Sequence, residues 1–344
     1  MAGGGTGGHV IPALAVAREL RRRGHDVVFV GTERGLEAKL VPAAGFRLEK
    51  IEIGGLNRVG LRQKLATLAR LPFVTLGCLR LSASAVFSMG GYVAGPPVMA
   101  ALLRRRPVVV MEPNAVPGFT NRVIGRFVAG ALVSFPETAR YFSWAEVTGL
   151  PIREEFFRVP PKPPGEVLNL LITGGSQGSR TLNRAARESW PLFRKAAFPV
   201  RIVHQTGSAG FEELRDAFAQ CGLEGEVVPF IADMPAAFAE ADLVVSRSGA
   251  GAVAELAAAG KPSILVPFPF AADDHQTRNA EAMERGGASR VVPDAAWNGE
   301  QLVSLAGELR PRLEEMGAAA RKFARPGAAE RAADILEQVA RDFN

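Results

Sequence analysis

The chain has 344 residues, of which 47% are hydrophobic and 22% charged, and this size and balance suit two globular domains with sizeable cores. No stretch reaches the ~20 apolar residues of a membrane-spanning helix, and no signal peptide opens the sequence. Its two cysteines, Cys78 and Cys221, match no metal-binding spacing and no disulfide framework. We therefore expect a cytoplasmic protein rather than an integral membrane or disulfide-stabilised one.

The formal charge of +6 is unevenly distributed. Residues 1–150 contain 19 basic and 9 acidic side chains, whereas the remainder contains 22 basic and 26 acidic ones. A basic first half indicates an anionic partner such as phosphate, acidic lipid or nucleic acid. The other interpretation is that the many arginines reflect only the base composition of the genome and indicate no partner.

Short β-branched runs alternate with longer helical patterns along the whole chain, which is typical of α/β folds with parallel sheets. In the first half we predict strands at 26–31, 84–88, 107–111 and 131–134, with helices at 11–23, 34–44, 61–81, 94–105 and 118–128. In the second half we predict strands at 167–173, 200–204, 226–231, 242–246 and 263–267, with final helices at 300–323 and 328–342.

A proline-rich connector separates the two halves, because prolines stop helices and resist pairing in central strands. Its five prolines are Pro151, Pro160, Pro161, Pro163 and Pro164. We predict a first domain over 1–150, a linker over 151–165 and a second domain over 166–325. The last segment, 326–344, is predicted to form a helix that turns back toward the first domain.

Four glycine-rich turns carry the strongest chemical signal. They are GGGTGG at 3–8, MGGY at 89–92, GGSQG at 174–178 and SGAG at 248–251, and each precedes a helical pattern. Glycine lets backbone approach a ligand closely, and a helix N-terminus offers unpaired N–H groups, so phosphate is the favoured ligand. A single turn of this kind also serves plain packing, but two in each half predict a phosphate-rich cleft.

None of these turns fits the commonest nucleotide motifs. No Gly-Lys-Ser/Thr closes a P-loop, and GGTGGH lacks the final spacing of a dinucleotide fingerprint. Glu255 follows SGAG inside the same helix, where a carboxylate can accept both hydroxyls of a ribose whose phosphates lie at the helix start. A glutamate that simply faces solvent on the helix surface is the other interpretation. Gln276 and Asn279 follow a predicted strand end, where they either read sugar hydroxyls or cap a helix.

Taken together, the motifs closely resemble those of the MurG family, the UDP-GlcNAc transferases that complete lipid II. They are GGTGGHVIPALAVA (4–17), MGGYVAGP (89–96), EPNAVPGFTNR (112–122), GLPIR (149–153), ITGGSQGSRTLN (172–183), FIADM (230–234) and SRSGAGAVAE (246–255). The resemblance covers nearly the whole chain. It implies a GT-B type α/β fold, in which two Rossmann-like parallel-sheet domains face each other across a cleft.

The resemblance also implies the roles of particular residues. In the second domain, Glu255 matches the ribose ligand, Ile231 the backbone contact to uracil, and Gln276 the residue that reads sugar hydroxyls. The remaining matches to donor-binding positions are Thr6, Gly7, Gly8, Asn114, Arg153, Ser176, Arg247, Ala250, Gly251, Ala252, Val253 and Ala254. Acceptor or cleft positions of the family are matched by Tyr92, Gly90, Gly91 and Asn183, and catalytic candidates by His9 and Glu112.

Three departures from the family pattern stand out. Met111 replaces the histidine that usually precedes Glu-x-Asn, and His275 replaces the first of two glutamines in the sugar-reading segment. Family members also have a strand before the first glycine turn, where this sequence reads Met1-Ala2-Gly3. We therefore expect the first sheet to lack a central strand, through a late start codon or a truncation.

The family reaction needs an activated acceptor hydroxyl and a stabilised UDP leaving group. No Asp-x-Asp occurs in the chain, so we expect no metal and no cofactor, with helix N-termini, turn amides and arginines holding the diphosphate. His9 is the favoured general base, because an unperturbed histidine has a pKa of ~6.5. Glu112 is the alternative base, and a phosphate ligand is the alternative role for His9. Direct displacement would invert the donor's anomeric configuration.

The predicted helix 61–81 combines leucines at helical spacing (Leu61, Leu65, Leu68, Leu76 and Leu79) with basic residues (Arg62, Lys64, Arg70 and Arg80). Such a helix binds anionic lipid, although an ordinary core-facing helix kinked at Pro72 fits equally. The expected partners are UDP-GlcNAc, undecaprenyl-linked lipid I, an anionic membrane surface and other cell-wall synthesis proteins, but no nucleic acid. These partners imply a peripheral protein at the cytoplasmic face of the membrane. They also imply that it acts in peptidoglycan synthesis, cell shape and cell division.

Two alternatives remain from other functional classes. A UDP-GlcNAc epimerase also has two Rossmann-like domains, but it needs neither a lipid acceptor nor a membrane-binding patch. The second alternative is a non-enzymatic protein of the same fold that binds a nucleotide sugar. Met111 and the expected loss of a central strand favour this alternative. Product formation from a lipid-linked acceptor separates all three.

Overall fold

The structure is a computed structural model that describes residues 1–54, 60–163 and 165–343, without the side chains of residues 61–66 and 68. It contains two compact units, one of residues 1–152 with 327–344 and one of residues 153–326. Pro164 of the predicted linker lies outside the described residues. The neighbouring residues from 153 onward belong to the second unit, where Phe156 is fully buried against Phe238.

The first unit alternates strands and helices. Its elements are α1 (Gly7–Arg22), β1 (Val28–Gly31), α2 (Glu37–Ala43), β2 (Arg47–Lys50), α3 (Leu61–Cys78), β3 (Val86–Ser88), α4 (Gly95–Leu103), β4 (Val108–Glu112), α5 (Phe119–Ile124), β5 (Gly130–Val133) and β6 (Ala145–Val147). The strands form two parallel groups, β1-β2 and β3-β4-β5-β6. Strand β4 is buried along its whole length.

Ala2 joins these two groups of strands. It forms parallel bridges to Val30 on one side and Ser88 on the other. Its amide donates to the Phe87 carbonyl at 2.7 Å, and its carbonyl accepts from the Met89 amide at 2.9 Å. The central position that we expected to be missing is therefore held by a single bridging residue. The first glycine turn leaves the sheet from this residue.

The second unit contains a six-stranded parallel sheet in the order β12-β11-β10-β7-β8-β9. Its elements are β7 (Leu168–Thr173), α6 (Arg180–Phe193), β8 (Val200–Gln205), α7 (Phe211–Ala219), β9 (Glu224–Val228), α8 (Met234–Glu240), β10 (Leu243–Ser246), α9 (Ala250–Ala259), β11 (Ser263–Leu265), α10 (His275–Arg285), β12 (Ser289–Val291), α11 (Gly299–Leu309) and α12 (Leu313–Arg321). The chain winds outward from β7 in both directions, so β7 and β10 form the topological switch point of a Rossmann-like sheet.

The last helix, α13 (Ala328–Asp342), belongs to the first unit. Arg23 at the end of α1 donates to Asp334 at 2.6 Å and to Glu337 at 3.3 Å. Arg331 forms a two-pronged ion pair with Glu146 of β6, at 2.6 and 2.8 Å. These contacts attach the C-terminal helix to both α1 and the sheet edge.

Strands β2, β6 and β12 were not predicted from the sequence. All three are three or four residues long and lie at sheet edges, where charged side chains prevent unwanted pairing and weaken the apolar signal. The predicted helix 300–323 is wrong as a single element. It is divided into α11 and α12 by a short 3₁₀ turn containing Pro311, because proline cannot donate the hydrogen bond that continues a helix.

A buried carboxylate holds the first glycine turn. Glu37 has no exposed surface, and it accepts hydrogen bonds from the Gly5 amide at 2.7 Å and from Thr32 at 2.9 and 2.8 Å. Burial, the largest effect, raises the pKa of Glu37, but these hydrogen bonds together outweigh it and the pKa lies below its usual range. A Cβ atom at Gly4 would lie 2.4 Å from this carboxyl group, so the turn needs glycine there.

We expect Glu37→Ala to lower the free energy of unfolding by about 3 kcal/mol, because it leaves buried donors unpaired. The contribution of the ionised Glu37 carboxylate to the free energy of unfolding is complete above the unfolded-state pKa of about 4.3. It is lost as the pH falls through the lower folded-state pKa. Urea unfolding followed from pH 7 to pH 3 measures both effects. Glu33→Ala is the control, because Glu33 is exposed and paired with Lys50 at the surface, and we expect it to change the stability far less than Glu37→Ala does. Equal losses in the two variants would contradict this role.

Candidate active site

The two glycine turns of the second unit lie side by side at its switch point, because GGSQG follows β7 and SGAG follows β10. The first turn packs tightly against the backbone after β8. A Cβ atom at Gly178 would lie 1.8 Å from the Thr206 carbonyl oxygen, and one at Gly207 would lie 2.5 Å from the Gln177 carbonyl oxygen. Ser176 is exposed at the tip of this turn. The sequence therefore places free backbone at the edge where parallel sheets bind ligands.

Arg247 connects the two turns. Its guanidinium donates to Ser179, the residue that caps α6, at 2.7 Å, and to Asp294 at 2.5 Å. It also donates to the carbonyls of Val266 and Pro267 at 3.0 and 3.1 Å. Four hydrogen bonds within the unit give Arg247 a scaffold role in this structure, although the sequence predicted a basic contact to the nucleotide. Asp294 was not predicted from the sequence.

Glu255 lies in α9, whose first turns are formed by Ala250, Gly251, Ala252, Val253 and Ala254. Burial raises the pKa of Glu255 to about 7, and the nearby positive charge of Arg153 opposes this shift. The guanidinium of Arg153 also lies 5.0 Å from the ring centre of Phe156. A partly exposed carboxyl group one turn beyond a helix N-terminus is placed to accept hydroxyl groups while the amides at the start of α9 face an anion.

Gln276 lies in the first turn of α10. Its side-chain oxygen accepts from the Phe268 amide at 3.0 Å, and its backbone carbonyl accepts from the Ser248 hydroxyl at 2.8 Å. Its amide nitrogen would be the nearest atom to a Cβ atom at Gly249, at 4.0 Å. Gln276 therefore borders the SGAG turn. Asn279 is completely buried and donates to the Ser248 carbonyl at 3.2 Å, so it supports the turn instead of reading a sugar.

Asn183 also belongs to the scaffold of the second unit. It is 9% exposed, donates to the Thr206 carbonyl at 3.0 Å, and contacts His204 Nε2 through its side-chain oxygen at 3.0 Å. Burial lowers the pKa of His204 to about 4, so this histidine is neutral near pH 7. The side chain of Asn183 is therefore used inside the unit, and its cleft role stays a prediction.

Ile231 lies beyond the end of β9, outside the strand that we predicted to reach it. Its amide donates to the side-chain oxygen of Gln205 at 2.8 Å. The preceding Phe230 is 60% exposed. The segment thus presents backbone groups and an aromatic ring near the carboxyl edge of β8 and β9. Gln205 was not predicted from the sequence, although a polar residue at a strand end before Thr206-Gly207 was an available signal.

In the first unit, His9 lies in the first turn of α1, after Thr6, Gly7 and Gly8. Its Nδ1 atom lies 3.2 Å from the Gly4 carbonyl oxygen. A carbonyl only accepts, so Nδ1 carries the proton and the basic lone pair of the neutral ring is on Nε2. The MGGY turn packs beside this ring, because a Cβ atom at Gly91 would lie 3.3 Å from it. Both Gly90 and Gly91 have φ near 77°.

Tyr92 follows directly and is 36% exposed. A Cβ atom at Gly5 would lie 3.8 Å from its ring. The first glycine turn, the MGGY turn and the start of α1 therefore converge within one unit. As in the second unit, the two turns follow neighbouring members of the sheet, Ala2 and β3.

Glu112 has the opposite environment to His9. It is 2% exposed, and its carboxylate accepts from the Asn114 amide and side chain, the Gly118 amide and Asn121, at 2.9 to 3.1 Å. Burial raises the pKa of Glu112, and these hydrogen bonds only partly offset that effect. Both oxygens are used to shape residues 112–121, so the geometry favours His9 over Glu112 as a base. Met111 is completely buried in β4, so this departure from the family pattern changes the core.

Among residues 1–54, 60–163 and 165–343, no group of three or more His, Cys, Asp or Glu side chains is placed to hold a metal ion. In the same part of the chain, no helix combines the length and apolar character needed to cross a bilayer.

Comparison with known proteins identifies the family. The N-terminal domain model of glycosyltransferase family 28 matches residues 1–133, and the C-terminal domain model of the same family matches residues 169–339. The chain is 72% identical to the UDP-N-acetylglucosamine--N-acetylmuramyl-(pentapeptide) pyrophosphoryl-undecaprenol N-acetylglucosamine transferase of Solibacter usitatus, over 99% of this chain and 96% of that protein. The protein of the same name from Halorhodospira halophila is 46% identical, over 99% and 98%.

Solved structures agree with this assignment. MurG of Acinetobacter baumannii matches with a TM-score of 0.84 and 36% identity, over 97% of both chains. A protein of Listeria monocytogenes described as a putative UDP-N-acetylglucosamine 2-epimerase matches with a TM-score of 0.65 but only 11% identity, over 95% of this chain and 92% of that one, so it shares the fold alone. With both domain models matched and a nearly full-length relative at 72% identity, the chain belongs to glycosyltransferase family 28 and, within it, to the MurG family of GT-B glycosyltransferases.

Proposed function

We propose that this protein transfers N-acetylglucosamine from UDP-GlcNAc to the 4-hydroxyl of the N-acetylmuramyl group of lipid I, and so makes lipid II for peptidoglycan. The observation that carries the proposal is the 72% identity to the Solibacter usitatus transferase over nearly the whole of both chains. The position of paired glycine turns in each unit supports it, because they place backbone amides where a nucleotide diphosphate binds.

The second unit holds the donor. Amides of the GGSQG turn and the start of α9 take the diphosphate, and Glu255 takes the ribose hydroxyls. Ile231 contacts the uracil through its backbone, and Gln276 reads the sugar. No metal is needed, because helix N-termini and turn amides stabilise the negative charge that develops on departing UDP.

The first unit supplies the base. His9 Nε2 removes the proton from the acceptor hydroxyl as that oxygen attacks the anomeric carbon of the donor. The C–O bond to UDP breaks in the same displacement, so the configuration inverts. Transfer of radiolabelled GlcNAc to lipid I in detergent, with and without EDTA, tests the reaction. A UDP-GlcNAc epimerase or a non-enzymatic binding protein would form no labelled lipid, and loss of transfer with EDTA that magnesium restores would refute the metal-free mechanism.

We expect Glu255 to make donor binding pH-dependent. Its pKa of about 7 means that ribose hydroxyls compete with a proton, and the ionised form accepts them best. The dissociation constant of UDP-GlcNAc should therefore rise about tenfold between pH 8 and pH 6, as measured by calorimetry. The diphosphate diester of this donor does not titrate in that range.

Glu255→Gln is the control, because it cannot titrate and should give a flat profile. Glu255→Ala should weaken donor binding by about 2 kcal/mol at pH 8, where charge-assisted hydrogen bonds are lost. A flat profile in the unaltered protein would remove Glu255 from the ribose site.

We expect His9→Ala to lower kcat by ~10²–10⁴ and to leave donor binding nearly intact, because only proton transfer is lost. The acidic limb of the kcat profile, measured at saturating donor so that Glu255 does not contribute, should disappear with it. His25→Ala is a matched control, since His25 is exposed beyond the end of α1 and contacts Glu337 of α13 at 2.9 Å. A loss confined to the acceptor KM, partly rescued by His9→Lys, would instead make His9 a phosphate ligand.

The membrane contact that we propose extends beyond the helix chosen from the sequence. The side chains of Leu61, Leu65, Leu68, Arg62 and Lys64 lie outside the described residues. Elsewhere on α3, Phe73 is 75% and Leu76 61% exposed, and on the neighbouring α4 Leu103 is 65% exposed. The exposed basic residues Arg70, Arg80, Arg104 and Arg105 accompany them. Apolar and cationic groups on adjacent helices suit an anionic membrane surface at the cytoplasmic face.

We expect the double variant Phe73→Ser with Leu76→Ser to reduce binding to anionic vesicles by about tenfold, since two large apolar side chains lose their burial in lipid. Cosedimentation with vesicles of phosphatidylglycerol and phosphatidylcholine measures this. Phe343→Ser, at a similarly exposed position after α13, should bind normally. Unchanged binding in the double variant would exclude this face. Roles in cell shape and cell division follow if the proposed reaction supplies peptidoglycan precursor, and contacts with other cell-wall synthesis proteins stay a prediction.

A further inference from the structure

Gln205 is a completely enclosed polar side chain at the carboxyl edge of the second sheet. It ends β8, between β7 and β9, and is 1% exposed. Its side-chain nitrogen donates to the Thr173 hydroxyl at 3.1 Å and to the Gly175 carbonyl at 2.9 Å. Its side-chain oxygen accepts from the Ile231 amide at 2.8 Å. The amide group of Gln205, at the end of β8, therefore joins the turn that follows β7 to the segment that follows β9.

The chemistry of its partners fixes the orientation of this amide. The Gly175 carbonyl only accepts and the Ile231 amide only donates, so nitrogen must face the glycine turn and oxygen must face Ile231. Both N–H groups of Gln205 are used. No other amino acid of the same length provides two donors on one side and an acceptor on the other.

The Ile231 segment lies at the edge of the packed core of the second unit. Ile231 lies outside β9, and it borders a cavity of about 310 Å³ that Leu171, Val203 and Ala237 also line. This cavity is open to solvent, so the segment has fewer packing neighbours on that side than a core strand has. The hydrogen bond to Gln205 is therefore a main restraint on the position of the Ile231 backbone.

We propose that Gln205 is a positioning residue that ties the base-reading backbone at Ile231 to the diphosphate-binding turn at Gly175. This inference rests on the proposed function, in which these two segments hold the uracil and the diphosphate. Because Gln205 is buried, it acts through its partners and does not touch the ligand. It sets the spacing between the two parts of the nucleotide site, so the base and the diphosphate are recognised as one unit.

The test compares Gln205→Leu with the unaltered protein. Without the bridge, the Ile231 backbone can shift to suit either pyrimidine edge, so the selectivity for UDP over CDP should fall toward one. The dissociation constant of UDP and the KM for UDP-GlcNAc should rise about tenfold. The kcat at saturating donor should stay within about twofold, because Gln205 makes no contact with the reacting atoms. Calorimetry with UDP and CDP and steady-state transfer kinetics give these values.

Gln205→Glu provides a second variant that keeps the acceptor for Ile231 but loses both donors. Its carboxylate repels the Gly175 carbonyl, whereas the protonated acid can donate one hydrogen bond to it. The defect in UDP binding relative to the unaltered protein should therefore shrink as the pH falls. A merely structural loss would not recover in this way. This variant also serves if Gln205→Leu does not fold.

Asn169→Leu is the matched control. Asn169 is an amide near the opposite end of β7, where its side chain donates to Asp242 at 2.9 Å and to the Val167 carbonyl at 3.3 Å. It lines the same cavity as Ile231, so this variant separates loss of the Gln205 bridge from a change in the cavity itself. We expect it to lower thermal stability while leaving UDP affinity and selectivity unchanged. The inference is overturned if Gln205→Leu keeps the selectivity for UDP over CDP, or if Asn169→Leu loses it equally. Failure of the unaltered protein to bind UDP would instead refute the proposed function.

Discussion

A parallel sheet wound outward from an interior strand leaves one unavoidable gap, and the second unit is organised around that gap. The connections that follow β7 and β10 depart to opposite faces, so the carboxyl ends of these neighbours are not covered by either helix. Both connections start with glycine turns, which lets backbone occupy space that a side chain would fill. The first unit repeats the arrangement around Ala2 and β3, although its central member is only one residue long.

Turns rich in glycine gain their shape from buried polar side chains nearby. Glu37 holds the first turn, Glu112 holds residues 112–121, and Gln205 and Arg247 hold the two turns of the second unit. Glu37, Glu112 and Gln205 satisfy backbone groups of their turns, whereas Arg247 joins its own turn to the Ser179 side chain. A buried polar group left unpaired would cost more than the net value of a hydrogen bond. The exposed amides remain for a ligand because the buried ones are already paired.

The sequence predicts the glycine turns, the order of the main elements and the family, since these depend on local residue patterns. It does not predict the edge strands β2, β6 and β12, where charged residues weaken the apolar period. Asn183, Asn279 and Arg247 show a second limit. A polar residue near a ligand-binding turn either faces the ligand or supports the turn, and only the fold decides which. Gln205 and Asp294 were missed because their partners are far away in sequence.

Whether a polar side chain faces the ligand or supports a turn also decides how charge is distributed around the proposed diphosphate. Arg247 pairs with Asp294 at 2.5 Å, and this pair leaves little net positive charge from that guanidinium for a ligand. Arg153 faces the field of Glu255, whose pKa of about 7 shows that burial outweighs the arginine. In the proposed reaction, Arg247 therefore contributes little to the stabilisation of departing UDP. The proposal assigns most of this stabilisation to backbone amides, since their dipoles are fixed by the fold and need no counter-ion. The diphosphate part of such a site keeps its charge at every pH at which the unit stays folded, unlike the proposed ribose part at Glu255. Diphosphate binding then depends more on the turns being held in place than on any single cation.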